Sequence, residues 1–308
     1  MSESPSFPDR LTLIAFSTAV GIGGVNFVAV RYSNRELDPL FGAGTRFGVA
    51  ALLFLVFMAL RRVPFPKGRG LLAAVVYGVL AFTISYALAY WALQELSAGV
   101  AAVVFGATPL ITILLAAAHR LEPLTRRGLL GAVIVVGGIV VLGNPASGAE
   151  VPVARLLAIL GAALAASEAS VLIKIARPVH QVATNATAMA VGAALLLIVS
   201  AATGENWVVP SEEQTWLALS YLAVLGSVGL FGLILFTLGR WTASGVAYMT
   251  PLFPVVAMVA GALIAGEAIT ANGVIGGAIV LAGVYVGVLH QGTRRHKMVL
   301  EEPVPETG

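Results

Sequence analysis

Apolar residues in this chain run on for about twenty positions at a time and stop at short clusters of charge, proline and glycine. A membrane-spanning helix needs about 17–25 mostly apolar residues. Ten runs meet that length: 11–30, 39–60, 70–91, 96–118, 126–143, 154–174, 183–203, 214–238, 243–265 and 272–290. The breaks are short, and Val63-Pro64-Phe65-Pro66-Lys67-Gly68 and Gly143-Asn144-Pro145-Ala146-Ser147-Gly148 are the clearest. The first run follows Asp9-Arg10, lacks a small-x-small cleavage site and exits into a polar stretch from Arg31 to Asp38. It is therefore expected to be a span and not a cleavable leader. The tail 291–308 is polar, carries Pro303 and Pro305, and is expected to be disordered.

Composition agrees with the pattern. The chain is 58% hydrophobic and 11% charged, whereas a soluble domain carries about 25% charged residues. Too few charges exist to cover a water-facing surface, so lipid is the expected solvent. The abundant glycine (34 residues) suits close packing of helices in lipid. With no cysteine, disulfides, thiolate metal sites and a cysteine nucleophile are excluded.

The basic residues give the orientation. With the N-terminus in the cytoplasm, the inner segments hold 14 of the 18 lysines and arginines, and the outer ones only Arg31, Arg35 and Arg155. Both termini are therefore expected to be cytoplasmic, in the inner membrane of a bacterium. The same bias accounts for the net charge of +3 without nucleic acid as a partner.

Shifting the chain by 145 residues lays Pro109–Gly138 on Pro254–Gly283, and nine of those thirty positions match. They are Pro109/Pro254, Ala117/Ala262, Glu122/Glu267, Thr125/Thr270, Gly128/Gly273, Gly131/Gly276, Ile134/Ile279, Val135/Val280 and Gly138/Gly283. Each unit holds an odd number of spans, so the two must lie upside down relative to one another. The expected fold is an all-α integral membrane protein of ten transmembrane helices arranged as two inverted five-helix repeats, 11–143 and 154–290. A periplasmic linker, 144–153, joins them, and cytoplasmic segments 1–10 and 291–308 flank them. Inverted repeats are characteristic of secondary transporters, whose halves exchange conformations to open on either side.

Five residues are candidates for substrate contact. Glu168 lies well inside the sixth span, where a charge costs about 2.5–3.5 kcal/mol and generally faces water or a partner. It is expected to bind a substrate amine or to take up a coupling proton, unless it pairs with a cation or a hydroxyl purely for packing. Arg46, two turns in from Pro39, has several roles open: reaching the outer interface, capping a helix, neutralising Glu168 or binding an anionic group. Asn26 follows Gly21, Gly23 and Gly24, which are expected to loosen the first helix, and so faces a cavity. Tyr86 and Tyr90 share a helix face. They read either as contacts to an amphipathic substrate or, for Tyr90 with Trp91, as an interfacial belt. Glu122 and Glu267 are expected to cap the helices that follow them. Pro109, Pro251 and Pro254 are expected to kink the fourth and ninth spans.

The four histidines, His119, His180, His290 and His296, fall at span ends or in loops and form no His-Glu-x-x-His pair. With no Walker-type phosphate loop either, neither a metal-dependent intramembrane enzyme nor ATP hydrolysis is expected. No cofactor is implied. The expected partners are a small-molecule substrate, the lipid bilayer and possible coupling protons; the oligomeric state stays open.

Several motifs resemble the ten-helix EamA-like branch of the drug/metabolite transporter superfamily. They are Gly24-Val25-Asn26-Phe27-Val28-Ala29-Val30-Arg31, Thr45-Arg46-Phe47, Leu121-Glu122-Pro123-Leu124-Thr125, Gly266-Glu267-Ala268-Ile269-Thr270 and Gly137-Gly138-Ile139-Val140-Val141. The resemblance covers roughly residues 11–290 and implies export of a small metabolite or an amino-acid-like solute by alternating access, coupled to protons or exchange. A lipid or lipid-carrier flippase is the alternative that the same fold supports. In that family a tryptophan often precedes the Gly-x-Asn stretch. Gly23 stands there in this chain, so that aromatic wall is expected to be missing.

Overall fold

The structure is a computed structural model that describes residues 8–143, 152–176, 180–241, 246 and 248–289. Most of the expected linker (144–151), residues 1–7 and the tail from 290 onward, with His290 and His296, lie outside the described residues.

All regular elements among the described residues are helical. They are α1 (Arg10–Ser33), α2 (Pro39–Leu60), α3 (Arg69–Ala92), α4 (Ala98–Ala118), α5 (Arg126–Leu142), α6 (Val153–Ala176), α7 (Gln181–Thr203), α8 (Glu213–Leu238), α9 (Met249–Ala265) and α10 (Ala271–Val284). Seven of them, α1–α4 and α6–α8, are long and apolar enough to cross a membrane. The sequence predicts ten such spans, but α5, α9 and α10 have 17, 17 and 14 residues. Gly266, at φ 63, ends α9, and α10 passes into a π-helical turn, Tyr285–Leu289. The expected start of the ninth span, 243–245, lies outside the described residues.

Side chains cap the helix starts, though not the ones expected. Asp9 Oδ1 accepts from Thr12 N at 2.9 Å on α1. Thr125 and Thr270, not Glu122 and Glu267, cap α5 and α10, each accepting at 3.0 Å from the glycine N–H three residues on. The two glutamates are thereby free for other contacts, described below.

The interior is built from small residues. Ala19, Ala43, Ala50, Ala162 and Ala186 are fully buried, whereas Leu60, Val133, Val140 and Leu263 lie on the outer surface. That inversion of a soluble protein suits lipid, where close backbone approach replaces hydrophobic burial as the packing force. One close approach of backbone to backbone is that of α5 and α10. A Cβ on Gly131 would lie 2.6 Å from the Gly283 carbonyl oxygen, and one on Gly138 would lie 2.9 Å from the Gly276 carbonyl oxygen.

In the remaining packing, α1 lies on α8 and α9, α6 on α3 and α4, and α2 on α7. Exchanging α1–α5 with α6–α10 maps each of these pairs, and α5–α10, onto another pair or onto itself. Helix α1 is continuous. Its glycines do not loosen it as expected but admit α9, since a Cβ on Gly24 would fall 2.5 Å from Val256 Cβ.

Three helices are irregular where they face the centre. A π-helical segment interrupts α3 at Gly78–Ile84 and α8 at Val224–Gly229, positions about one repeat length apart. Helix α4 breaks at Gly106–Ala107 ahead of Pro109, and Gly106 lies against Pro254 of α9. Both prolines belong to the matched pair that the sequence singles out.

Candidate functional site

The α1–α2 turn is fastened to the α7–α8 turn by carboxylates. Glu205 accepts from Leu40 N at 3.1 Å and Phe41 N at 2.8 Å, so it caps the start of α2, and Asp38 accepts from Asn206 N at 2.7 Å. Glu36 accepts from Ser211 N, the Ser211 hydroxyl and Glu212 N. Hydrogen bonds from the Ser211 hydroxyl first, then the Thr215 hydroxyl and these backbone donors hold the Glu36 carboxyl down at about 2. The start of α2 is thus fixed, and Arg46 projects from its second turn into the molecule's centre.

There a cavity of about 100 Å3 lies among α1, α2, α3, α4, α8 and α9. Four of the five predicted site residues line it: Asn26, Arg46, Tyr86 and Tyr90. The guanidinium of Arg46 is 1% exposed. Its Nε donates to Ser227 Oγ at 3.1 Å and its Nη2 to Gly226 O at 3.1 Å. Asn26 Nδ2 donates to the same carbonyl at 3.2 Å.

The π-helical turn explains this convergence. Its wider pitch disturbs the regular ladder of main-chain bonds and presents the Gly226 carbonyl to side-chain donors. The Ser227 hydroxyl donates five residues back to Leu222 O at 2.9 Å, as Thr83 does to Gly78 O at 3.3 Å in the segment of α3.

Tyr86 and Tyr90 follow the π segment of α3 on one face, their rings 6.4 Å apart. Tyr90 is fully buried, which rules out the interfacial belt for it; Trp91, 40% exposed, stacks under Arg155 at the surface. The Arg46 guanidinium lies 5.1 Å from the Tyr86 ring centre. The Tyr90 hydroxyl and Asn26 Oδ1 are buried and make no hydrogen bond of regular geometry.

The aromatic wall that Gly23 is expected to remove is present after all. Phe253 of α9 fills that space, 2.3 Å from where a Cβ on Gly23 would stand, and lines the cavity with Phe27, Phe105 and Leu230. These four, with Gly226 and Ser227, are missing from the sequence-based candidates. The one available signal is the glycine itself, a gap that another helix must fill.

Glu168 lies elsewhere. It faces His119 at the end of α4, Oε1 to Nε2 at 2.8 Å, and does not line the cavity. At the α1–α2, α3–α4 and α9–α10 turns, a polar vestibule of about 490 Å3 shares Leu93 with the cavity and holds Arg31, Arg35, Glu95 and Glu267. Glu267 pairs with Arg31 and accepts from Ala98 N at the start of α4. On the other face Glu122, its partner in the repeat, lies 3.9 Å from Lys174. No group of three His, Cys, Asp or Glu side chains fit to hold a metal occurs among the described residues.

Lipid-facing helices packed through small residues around a buried, polar-tipped cavity define a multi-pass membrane transporter. The chain belongs to the EamA-like transporter family, which matches residues 10–144 and again 154–289. It is 26% identical over 287 residues to a "Probable amino-acid metabolite efflux pump" of Salmonella typhimurium, covering 90% of this chain and 94% of that protein. It is 30% identical over 271 residues to the "Uncharacterized inner membrane transporter YedA" of Escherichia coli strain K12, covering 84% of this chain and 86% of that one. A solved crystal structure shares the fold with a TM-score of 0.63 at 20% identity, over 93% of this chain and 99% of the other.

Proposed function

We propose that the protein is a secondary exporter of a small metabolite or amino-acid-like solute, working by alternating access at the central cavity. One observation carries this reading: the cavity lies at the junction of the two family-matched units, with Asn26, Arg46, Tyr86 and Tyr90 from the first and Leu230 and Phe253 from the second. A site walled by both units opens to either side when the units rock against each other.

The units are two inverted five-helix repeats, 11–143 and 154–290, with both termini in the cytoplasm. Support comes from helix contacts that survive exchange of the halves, from π segments at corresponding places in α3 and α8, and from the bias of basic residues toward one face. Arg31–Glu267 closes the outer side, and Lys174–Glu122 is its inner counterpart, the bases 143 and the acids 145 residues apart. Glu168 with His119 belongs to the inner closure and not to the substrate cavity.

Counterflow of labelled amino acids and related metabolites into liposomes holding the purified protein, with and without an imposed pH gradient, tests the reading. Saturable exchange of at least one solute supports it, and acceleration by the gradient adds proton coupling. Movement of fluorescent lipid between leaflets with no solute exchange would replace it with a lipid flippase.

A further inference from the structure

We propose that the transported solute is a small monocarboxylate and that Arg46 binds its carboxylate; this rests on the cavity being the transport site. Arg46 is a buried cation at membrane depth, and no carboxylate forms an ion pair with it among the described residues. Such a charge is costly unless compensated. Two neutral oxygens and the faces of Phe47 and Tyr86 offset part of that cost. Only Nε and Nη2 of Arg46 make regular hydrogen bonds among the described residues. The hydroxyl of Tyr90 lies beside the Arg46 guanidinium in the same wall and makes no hydrogen bond of regular geometry. A carboxylate in the cavity satisfies both, accepting from Nη1 and from the tyrosine hydroxyl while neutralising the guanidinium.

The charge count narrows the class. One guanidinium balances one negative charge, and its planar fork matches the two oxygens of a carboxylate. A phosphate monoester, close to doubly charged, would carry its second charge into an apolar chamber unpaired. The remaining wall, formed by Phe27, Phe105, Phe253 and Leu230, takes an apolar body. The outer vestibule repeats the preference: Arg35 stacks on Tyr32 and bonds to Gln214 but forms no ion pair among the described residues.

Matched pairs isolate the carboxylate. Propionate, isovalerate and 3-phenylpropionate are compared with their neutral amides, and glycerol 3-phosphate serves as the dianion. Binding to the protein in nanodiscs is read by calorimetry, and exchange by counterflow in liposomes. At least one acid binds and exchanges while its amide does neither. Arg46→Gln weakens that acid by about 30-fold or more, as loss of a buried charge partner does, and Arg46→Lys, which keeps the charge, retains part of the affinity. Thermal unfolding of each variant separates lost binding from lost folding. An amide that binds as well as its acid, tighter binding of glycerol 3-phosphate, or unchanged affinity in a folded Arg46→Gln overturns the proposal. In each of those cases a solute still exchanges and the transporter reading survives. Absence of exchange by every solute, with both proteins folded, removes the transporter reading itself and this proposal with it.

Discussion

Arg46 on α2 and Ser227 on α8 meet across the junction of the two matched units, Nε donating to the hydroxyl at 3.1 Å. The bond joins the first unit to the π-helical turn of the second, and it is fully buried. Ser227→Ala leaves the Arg46 Nε–H without this acceptor, a loss of about 1–3 kcal/mol for a buried donor. Ser227→Thr keeps the hydroxyl and most of the stability. Thermal unfolding of the purified variants in detergent checks the difference; equal midpoints for Ser227→Ala and the parent would deny the bond any structural weight.

Gly226 beside it has no room for a side chain, because a Cβ there would lie 2.1 Å from Asn26 Oδ1. Gly226→Ala displaces the Asn26 amide from the wall of the cavity. Exchange is expected to fall at least as far as in Asn26→Ala, and Asn26→Ala together with Gly226→Ala is expected to be milder than the sum of the two. Strict additivity in flux would separate the two positions.

The α5–α10 contact is a test of packing alone. Gly131→Ala places a methyl against the Gly283 carbonyl and Gly287, and about 1–3 kcal/mol is expected to be lost. Gly137→Ala, on the same helix with nothing within 4 Å, is expected to be neutral or slightly stabilising through helix propensity. The comparison is made by thermal unfolding. A Gly137→Ala variant as unstable as Gly131→Ala would point to the loss of glycine flexibility and away from the contact.

The outer closure proposed above depends on Glu267, which holds both Arg31 and the start of α4. Because the chain contains no cysteine, a single Leu93→Cys reports access from the vestibule to the cavity cleanly. Glu267→Gln is expected to speed its modification by an impermeant thiol reagent from outside, whereas Glu122→Gln, at the opposite face, is not. Equal rates in both variants would remove the gate assignment.

Between the α1–α2 and α7–α8 turns the Glu36 carboxyl is held at about 2 against an ordinary value of 4.5. A depressed carboxylate stabilises the fold above its unfolded value and loses that contribution as pH falls through the folded one. The turn is therefore expected to hold unchanged from pH 7 to 5 and to weaken between about 4.5 and 2. Glu36→Gln is expected to be less stable than the parent at pH 7, with the difference shrinking as pH falls from 4.5 toward 2. Fluorescence of Trp216, whose indole donates to Pro210 O in the same turn, follows the change.

The helical architecture was readable because apolar runs of spanning length leave few alternatives, and the repeat was readable where glycine, proline and glutamate recur at a fixed shift. The gathering of Asn26, Arg46, Tyr86 and Tyr90 at one cavity was readable because polar groups inside long apolar runs need a polar neighbourhood. What the sequence hid was backbone detail. Neither Gly78–Ile84 nor Val224–Gly229 carries a motif for a π-helical turn, since the turn depends on the tertiary position of the segment. Yet the second of these turns supplies the Gly226 carbonyl to Asn26 and Arg46. Glu168 was misplaced for a related reason: depth along α6 says how costly a charge is, but not that His119 comes up from the end of α4 to meet it.

The measurement that bears most directly on the central claim uses Ser85, which lines the cavity and is buried beside Tyr86. Ser85→Cys, in the chain's cysteine-free background, is exposed to a small impermeant thiol reagent from each side of oriented vesicles during solute exchange. The account expects modification from either side, protection by the exchanging solute and loss of flux once the residue is modified. Flux that continues unchanged after complete modification of residue 85 would contradict a transport path through this cavity.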